Sequence, residues 1–508
     1  MKEIKSKCII IAYLTTCLQL FINIVFTPLL IKNLGNHEYG LYQTVSSFAN
    51  NLSIINFGIA TIISRNIIKY RLENNKKKLE NFLFLGTVIT GIISFLVFIF
   101  GLLLGSQLEV LYGNLDSRDL NIAKIMYIYI VFNMVIMVWN NMFSGITIGY
   151  EKIIVSNGLK LFRQILRILF LIILLLLNLD ALFIIQTDLL ISILLVSAEM
   201  IFCFKKLKII IKYHYYDKIA SREIFLFSLA SLLQVVTNNI NLNLDKTLLG
   251  IMLSTDIVTL YSPLLLIIGT LVTILQVISS LYLPEATKLV LEKADGETLT
   301  DFVIKPGRIQ SLIGSIIVIG FLFYGKNFLI LWLGREFEEI WFATVIALIP
   351  TMIAYVTCVA NIIIDAMLKK LARSIILIIT AILNIIITIT LVPKIGYLGA
   401  ALGTSISIIL GNIILLNYYY KKIIKLNVRR MYKEIFSGIF SSALIAGGIS
   451  YILTIFLDNS LVSFVVKGFL LLGVYFICLF KFGLNNQEKS FLMQFRNKII
   501  NQKLAHHR

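Results

Sequence analysis

Residues 27–66 read TPLLIKNLGNHEYGLYQTVSSFANNLSIINFGIATIISRN. An apolar stretch runs to Leu30, and a short polar turn follows, Lys32-Asn33-Leu34-Gly35-Asn36-His37-Glu38. Tyr39-Gly40-Leu41-Tyr42 lead into a second apolar stretch, which ends in a basic exit beginning at Arg65. This is the pattern of a tight membrane hairpin, and the rest of the chain is built from similar pieces.

Hydrophobic residues make up 58 % of the 508 and charged residues 14 %, whereas a soluble globular chain has about 25 % charged residues. The apolar residues come in blocks of about twenty or more, enough to cross a hydrocarbon core of about 30 Å. The expected class is therefore an all-α polytopic membrane protein, and no polar stretch is long enough to fold as a soluble domain. The first segment starts with Lys2, Lys5 and Lys7 and has no small-residue cleavage site, so it is expected to be a retained span and not a signal peptide. Cys8, Cys17, Cys203, Cys358 and Cys478 fit no metal or disulfide spacing and read as buried small hydrophobes. His37, His214, His506 and His507 are equally dispersed. No metal, cofactor or hydrolytic centre is expected.

Fourteen spans are expected, at 8–31, 41–64, 82–105, 122–146, 155–178, 181–203, 225–250, 257–283, 309–333, 340–365, 372–393, 397–418, 435–457 and 461–481. The joints between them alternate. One set is basic: the N-terminus, Arg65 to Lys78, Glu151 to Lys160, Lys205 to Arg222, Lys288 to Arg308, Lys369 to Arg373, Lys421 to Lys433, and the C-terminal tail. The other set is short and nearly neutral. Its side of the membrane has only Lys32, Arg118, Lys124, Lys246, Lys326, Arg335, Lys394 and Lys467, which leaves 38 of the 46 Lys and Arg for the basic side. Basic loops stay cytoplasmic, so both termini are expected there. The net charge of +19 then follows from orientation and attraction to anionic membrane lipid, and nucleic acid is not needed as a partner. In the tail, Phe491, Leu492, Phe495 and Ile499 among Arg496, Lys498 and Lys503 read either as an amphipathic surface helix or as a disordered segment. The short outer loops leave no room for an external catalytic domain.

An internal repeat is visible. Gln19, Asn23 and Gly35 recur as Gln234, Asn238 and Gly250, each 215 residues later. Tyr42 matches Tyr261 if the second copy carries a four-residue insertion, and Asn141 matches Asn361 at a spacing of 220. Six spans per copy is an even number, so the repeat is parallel, with a substrate cavity expected between two lobes. The expected division is an N-lobe over 1–222, a C-lobe over 223–420, two further spans over 421–484, and a basic cytoplasmic tail over 485–508.

Polar residues form stripes inside the spans. Thr16, Gln19, Asn23 and Thr27 share one face of span one, and Gln234, Asn238, Asn241 and Asp245 share one face of span seven. Such stripes either hold helices together or line a wet cavity; the repeat favours the cavity, and Gln19, Asn23, Gln234, Asn238, Asn241 and Asp245 are its candidate lining. Asp245 and Lys246 read either as functional intramembrane charges or as groups reaching the nearby outer interface. Span five carries Lys160, Arg163 and Arg167 on one stripe, with Gln164 beside it. If the span begins near Val155, Arg167 lies about 18 Å in; if it begins after Lys160, Arg163 snorkels to the surface. Arginine suits phosphate because its planar fork donates two parallel hydrogen bonds. Asp188, Glu199 and Asp365 read as salt-bridge or interface residues.

Three stretches resemble one family. LLIKNLGNHEYGLYQTVSSFANNLSIINFGI is similar to the N-terminal motif of the Wzx-type oligosaccharide flippases, in the polysaccharide transporter family of the multidrug/oligosaccharidyl-lipid/polysaccharide exporter (MOP) superfamily. LDKTLLGIMLSTDIVTLYSPLLLIIGTLVTILQVISSLYLPEATK resembles that family's seventh and eighth spans, with Asp245, Gly250, Tyr261 and Pro284 in place. ILNIIITITLVPKIGYLGAALGTSIS, from Ile382, resembles the eleventh and twelfth, with Asn384, Pro393, Gly396, Gly399, Ala400 and Ala401 in place, and FLILWLGREFEEI resembles the ninth-to-tenth turn. The resemblance implies a two-lobed fold like that of multidrug and toxin exporters (MATE). It further implies alternating access that carries an undecaprenyl-diphosphate-linked oligosaccharide from the cytoplasmic to the outer leaflet of the bacterial inner membrane, for O-antigen, capsule or a similar polymer. A polysaccharide polymerase and a chain-length regulator are the implied protein partners. Basic cavity residues hold the headgroup in that family, a role that falls here on Lys160, Arg163 and Arg167. Span one lacks the basic residues that related lipid II flippases carry, which argues against lipid II. The alternatives are a drug or cation antiporter of the same fold, with Asp245 or Asp188 as its carboxylate, and a membrane polymerase or glycosyltransferase, whose large outer loop or nucleotide-sugar domain the sequence lacks.

Overall fold

The computed structural model describes residues 2–50, 59–111, 116–215, 244–280, 282–367, 369–485 and 488–489. Every regular element among them is helical. That is what a bilayer requires, since a backbone N–H or C=O left unpaired in hydrocarbon costs several kcal/mol and a helix pairs them within one segment.

In chain order the first helices are α1 (Lys2–Asn50), α2 (Ile59–Leu72), α3 (Lys76–Gly105), α4 (Leu108–Leu111), α5 (Ser117–Gly149), α6 (Ile153–Leu177) and α7 (Ala181–Ile201). After residues outside the described part come α8 (244–252), α9 (Thr255–Ser280), α10 (Leu283–Leu291), α11 (Gly296–Leu333), α12 (Ile340–Tyr355) and α13 (Val359–Ala366). The last six are α14 (Lys370–Ile395), α15 (Tyr397–Ile408), α16 (Leu416–Ile423), α17 (Val428–Phe436), α18 (Ile439–Leu453) and α19 (Leu461–Cys478). Among the described residues, ten helices are long and apolar enough to cross a membrane. They fall on expected spans three, four, six and eight to fourteen, while most of expected span seven lies in 216–243, outside the described residues. The chain is a multi-pass membrane protein.

The opening hairpin is tighter than its polar turn suggests. Helical geometry continues from Lys2 to Asn50, running through Pro28, and breaks only at Gly35, with φ 77° and ψ 166°. That region of backbone space is open to glycine and essentially closed to residues with a Cβ, so one residue makes the break. Its repeat counterpart Gly250 is helical, and the break there comes later, at 253–254.

The turn also ties down its neighbours. Asn33 donates to the Asn178 side chain at 2.8 Å, His37 pairs with Asp119 at 2.7 Å, and Glu38 accepts from the N-terminal amide of α7, Ala181 N, at 2.6 Å. Three expected outer ends, those of α5, α6 and α7, are thus held by side chains from one short turn. Gly40, one turn further on, lets α1 touch the start of α9: a Cβ there would sit 2.2 Å from the Thr255 carbonyl oxygen.

The chain packs as two compact units, Met1–Leu266 with Leu377–Gly403, and Ile267–Ile376 with Thr404–Arg508. In the first, α2, α3, α5 and α7 bury Ile67, Phe82, Met126, Tyr127, Val138 and Ile185. The second is built on α11, a 38-residue helix, against which α12, α17, α18 and α19 pack. Arg308 of α11 is almost fully buried there and donates to Glu488, to the Glu434 carbonyl and to the Gly483 carbonyl. The two C-terminal spans are therefore fastened to α11 at one end by a single guanidinium.

Candidate functional site

The basic stripe of span five lies in α6. The helix begins at Ile153, so Arg167, fourteen residues on, is about 21 Å along its axis. Arg167 thus sits in the middle of the helix. Phe162, Ile165, Leu169, Ile172 and Leu176 are exposed on one side of α6, while Arg163 and Arg167 are half-buried on the other.

Each cation finds different company. Arg167 Nη2 lies 3.3 Å from Asp188 Oδ2 of α7 and also hydrogen-bonds the Tyr42 hydroxyl of α1, while its Nε has no partner among the described residues. Arg163 Nη1 donates to the Met137 thioether of α5 at 3.4 Å, a weak acceptor. Lys160 is exposed at the start of α6 and acts electrostatically on Glu199 of α7, a buried carboxyl that Thr147 and Ser156 also hydrogen-bond. The expected trio therefore divides: Arg163 and Arg167 share the electrostatic field of Asp188, and Lys160 faces a second carboxylate. Beside the stripe, Gln164 donates to Gln19 at 2.6 Å, which joins the polar face of span one to span five. The Asn23 side chain, Gln234, Asn238 and Asn241 lie outside the described residues.

The Asp245 side chain does not reach the protein surface. It is fully buried in α8, with Tyr261 donating to Oδ2 at 3.1 Å and Asn384 to Oδ1 at 3.4 Å. Asn384 in turn accepts from Thr388 at 3.1 Å. Tyr261 and Asn384 belong to the motifs that carry the family resemblance, and the structure brings both to one carboxylate.

Sequence reasoning passed over a polar face on the second half of α1. Tyr39, Tyr42 and Gln43 are spaced three and four apart, one side of a helix. Gln43 donates to the Tyr39 hydroxyl at 2.8 Å and accepts from Lys246 of α8 at 3.0 Å. Ser47, one turn on, meets Thr247 at 2.9 Å. The spacing was available as a signal, but tyrosines near a membrane surface read first as interfacial anchors.

A family model described as polysaccharide biosynthesis protein matches residues 6–288, more than half of the chain. The chain belongs to the polysaccharide biosynthesis protein family. None of the curated proteins matches it. Among solved structures, the lipid II flippase MurJ in an inward closed conformation aligns with a TM-score of 0.65 at 16 % identity, over 92 % of this chain and 97 % of that one. An inward-facing multidrug resistance MATE transporter of the MOP superfamily gives 0.64 at 14 %, over 81 % and 95 %. A MOP superfamily transporter from Pyrococcus furiosus, described by a reverse polarity of its binding pocket, gives 0.53 at 14 %, over 84 % and 96 %. At these identities the likeness is one of fold. This polysaccharide biosynthesis protein therefore shares its helical fold with these transporters.

Proposed function

We propose that this protein is a flippase that moves an undecaprenyl-diphosphate-linked oligosaccharide from the cytoplasmic to the outer leaflet of the bacterial inner membrane, by alternating access, for O-antigen, capsule or a related surface polymer. The observation that carries the reading is the pair of arginines on one face of a membrane helix, Arg163 and Arg167, with Asp188 as the one carboxylate acting on both among the described residues. A surplus cation in a membrane is costly and calls for an anion, and a guanidinium matches phosphate oxygens by its fork of donors. Family membership supports a role in polysaccharide assembly, and the fold is one used to move molecules across membranes. The same reading has fourteen spans in two six-span lobes, over 1–222 and 223–420, with the last two spans and the tail beside them. Lys160, Gln19, Asn23, Gln234, Asn238 and Asn241 complete the polar path, and a polymerase and a chain-length regulator act on the delivered unit.

The test is complementation of a strain lacking the gene. Arg163→Ala together with Arg167→Ala is expected to leave the protein in the membrane and to trap lipid-linked units on the cytoplasmic face, with transport down at least about a hundredfold, or about 2.7 kcal/mol. Full activity of that double variant removes the assignment of the site.

One observation favours a second reading. A fully buried carboxylate held by Tyr261 and Asn384 is the kind of group on which an antiporter exchanges a proton or an alkali cation. Under that reading the protein expels cationic drugs, and expression in a drug-sensitive host lowers accumulation of a fluorescent cationic dye. No change in accumulation rejects it.

A further inference from the structure

We propose that the seam between α6 and α7 holds a proton-binding site, in which the Glu199 side chain is a neutral carboxylic acid that gives up its proton to water and then takes Lys160 as its cation. The site is separate from the buried Asp245 of α8, and it does not depend on which substrate the protein carries.

One spacing recurs on the two helices. Arg167 lies eleven residues after Ser156 on α6, and Glu199 eleven after Asp188 on α7. Eleven residues are about three turns, so each pair shares a helix face. The two faces meet at both ends, Arg167 with Asp188 at 3.3 Å and Ser156 with Glu199 by a hydrogen bond. α7 thus presents two acids, about 16 Å apart along its axis, to one face of α6. Their company differs. Asp188 has a guanidinium. Glu199 is 2 % exposed and has no cation within ion-pair distance among the described residues; hydroxyls surround it instead.

Those hydroxyls are short of hydrogens. Thr147 of α5 donates its one hydroxyl hydrogen to the Phe143 carbonyl at 3.0 Å, so toward Glu199 it can only accept. Ser156 and Ser144 bond each other at 2.7 Å, which uses one of their two hydrogens and leaves at most one for Glu199. The Cys203 thiol, one turn beyond, is directed to the Phe143 carbonyl at 3.8 Å and to Thr147 at 3.6 Å. Glu199 Oε1 is buried with no partner among the described residues. An ionised carboxylate has only acceptor sites, about four of them. Here it would be buried with a single neutral donor, which is costly. A carboxylic acid brings its own hydrogen and donates it to Thr147 Oγ1, which has a lone pair to take it.

Lys160 lies one turn along α6 from Ser156. Among the described residues, Lys160 from α6 and Cys203 from the turn after α7 are the titratable groups facing Glu199, while α5 faces it with hydroxyls. Lys160 is exposed and has a flexible four-carbon stem, so it can swing to the carboxylate when the proton leaves. Lys160, Arg163 and Arg167 therefore stand against Asp188 alone while the proton is bound, and against Asp188 and Glu199 once it is gone. Proton uptake makes this stripe more positive by one charge.

The experiment is infrared difference spectroscopy of the full-length protein in lipid nanodiscs, stepped between about pH 6 and about pH 9. Ordinary Asp and Glu side chains stay ionised across that interval, since their unperturbed pKa values are about 4. A protonated-carboxyl C=O band that disappears on the step therefore reports a protected acid. The unaltered protein is expected to show such a band, and Glu199→Gln to lose it or the part of it due to Glu199. Lys160→Gln is expected to move its midpoint to higher pH by about half a unit or more, as the carboxylate loses its cation. Absence of the band from the unaltered protein overturns the proposal without any variant. Identical spectra for the unaltered protein and Glu199→Gln overturn it as well, and so does a midpoint that Lys160→Gln leaves unmoved. If Glu199→Gln is not monodisperse after purification, the unaltered protein and Lys160→Gln, altered at an exposed position, still decide.

Discussion

Arg167 and His37 show what a single side chain can reveal of its surroundings. Arg167 was legible in the sequence as a cation on a membrane helix, and Asp188 as an acid on the next. Their pairing at 3.3 Å was not, because it depends on how α6 and α7 are rotated about their axes. His37 carries a testable consequence. Its hydrogen bond to Asp119, reinforced by the charges of Asp119, Asp256 and Asp116, holds its pKa above 6.5. A group whose pKa is raised by folding stabilises fully below its unfolded value, and the contribution fades as pH rises through the folded value. The melting temperature in detergent should therefore fall from about pH 6 to about pH 9 more steeply in the unaltered protein than in His37→Gln. The side chain is 54 % exposed, so the effect is expected to be small; identical slopes would mean that the Asp119 contact contributes nothing in solution.

At the scale of elements, α1 and α11 do most of the organising. The hairpin made by α1 was readable from its apolar runs and polar turn. That Asn33, His37 and Glu38 fasten three other helix ends was not readable, since their partners are 82 to 145 residues away. In α11, Arg308 read as part of a basic cytoplasmic joint, and the structure instead buries it against the ends of α17 and α19. Arg308→Met leaves Glu488 without its cation and two carbonyls without their donor. Breaking a buried pair of this kind costs about 3–5 kcal/mol, and the lower end is expected because Glu488 is 26 % exposed. Thermal unfolding should show the loss, and trypsin should cut after Lys481 and Lys489 sooner than in the unaltered protein. Glu488→Gln, which keeps both carbonyl bonds, should cost less.

For the whole molecule the main prediction concerns sidedness. With 38 of 46 basic residues expected on one side, a fluorescent protein fused to the C-terminus should fold and fluoresce in the cytoplasm. Alkaline phosphatase inserted at 254 or at 459 should be active outside, and activity of phosphatase at either terminus would reverse the orientation. Membrane class, helical structure and the family motifs were all determined by the sequence, and its charge distribution sets the expected sidedness. They depend on hydropathy and charge accumulated along the chain, which a bilayer reads one segment at a time. Only the tertiary structure decided which polar residues meet. Gln19 finds Gln164 across 145 residues, Gln43 finds Lys246 across 203, and Asp245 finds Asn384 across 139. Those contacts depend on the rotation and depth of each helix, which packing sets to within an ångström and which a stripe of polar residues in one helix leaves open.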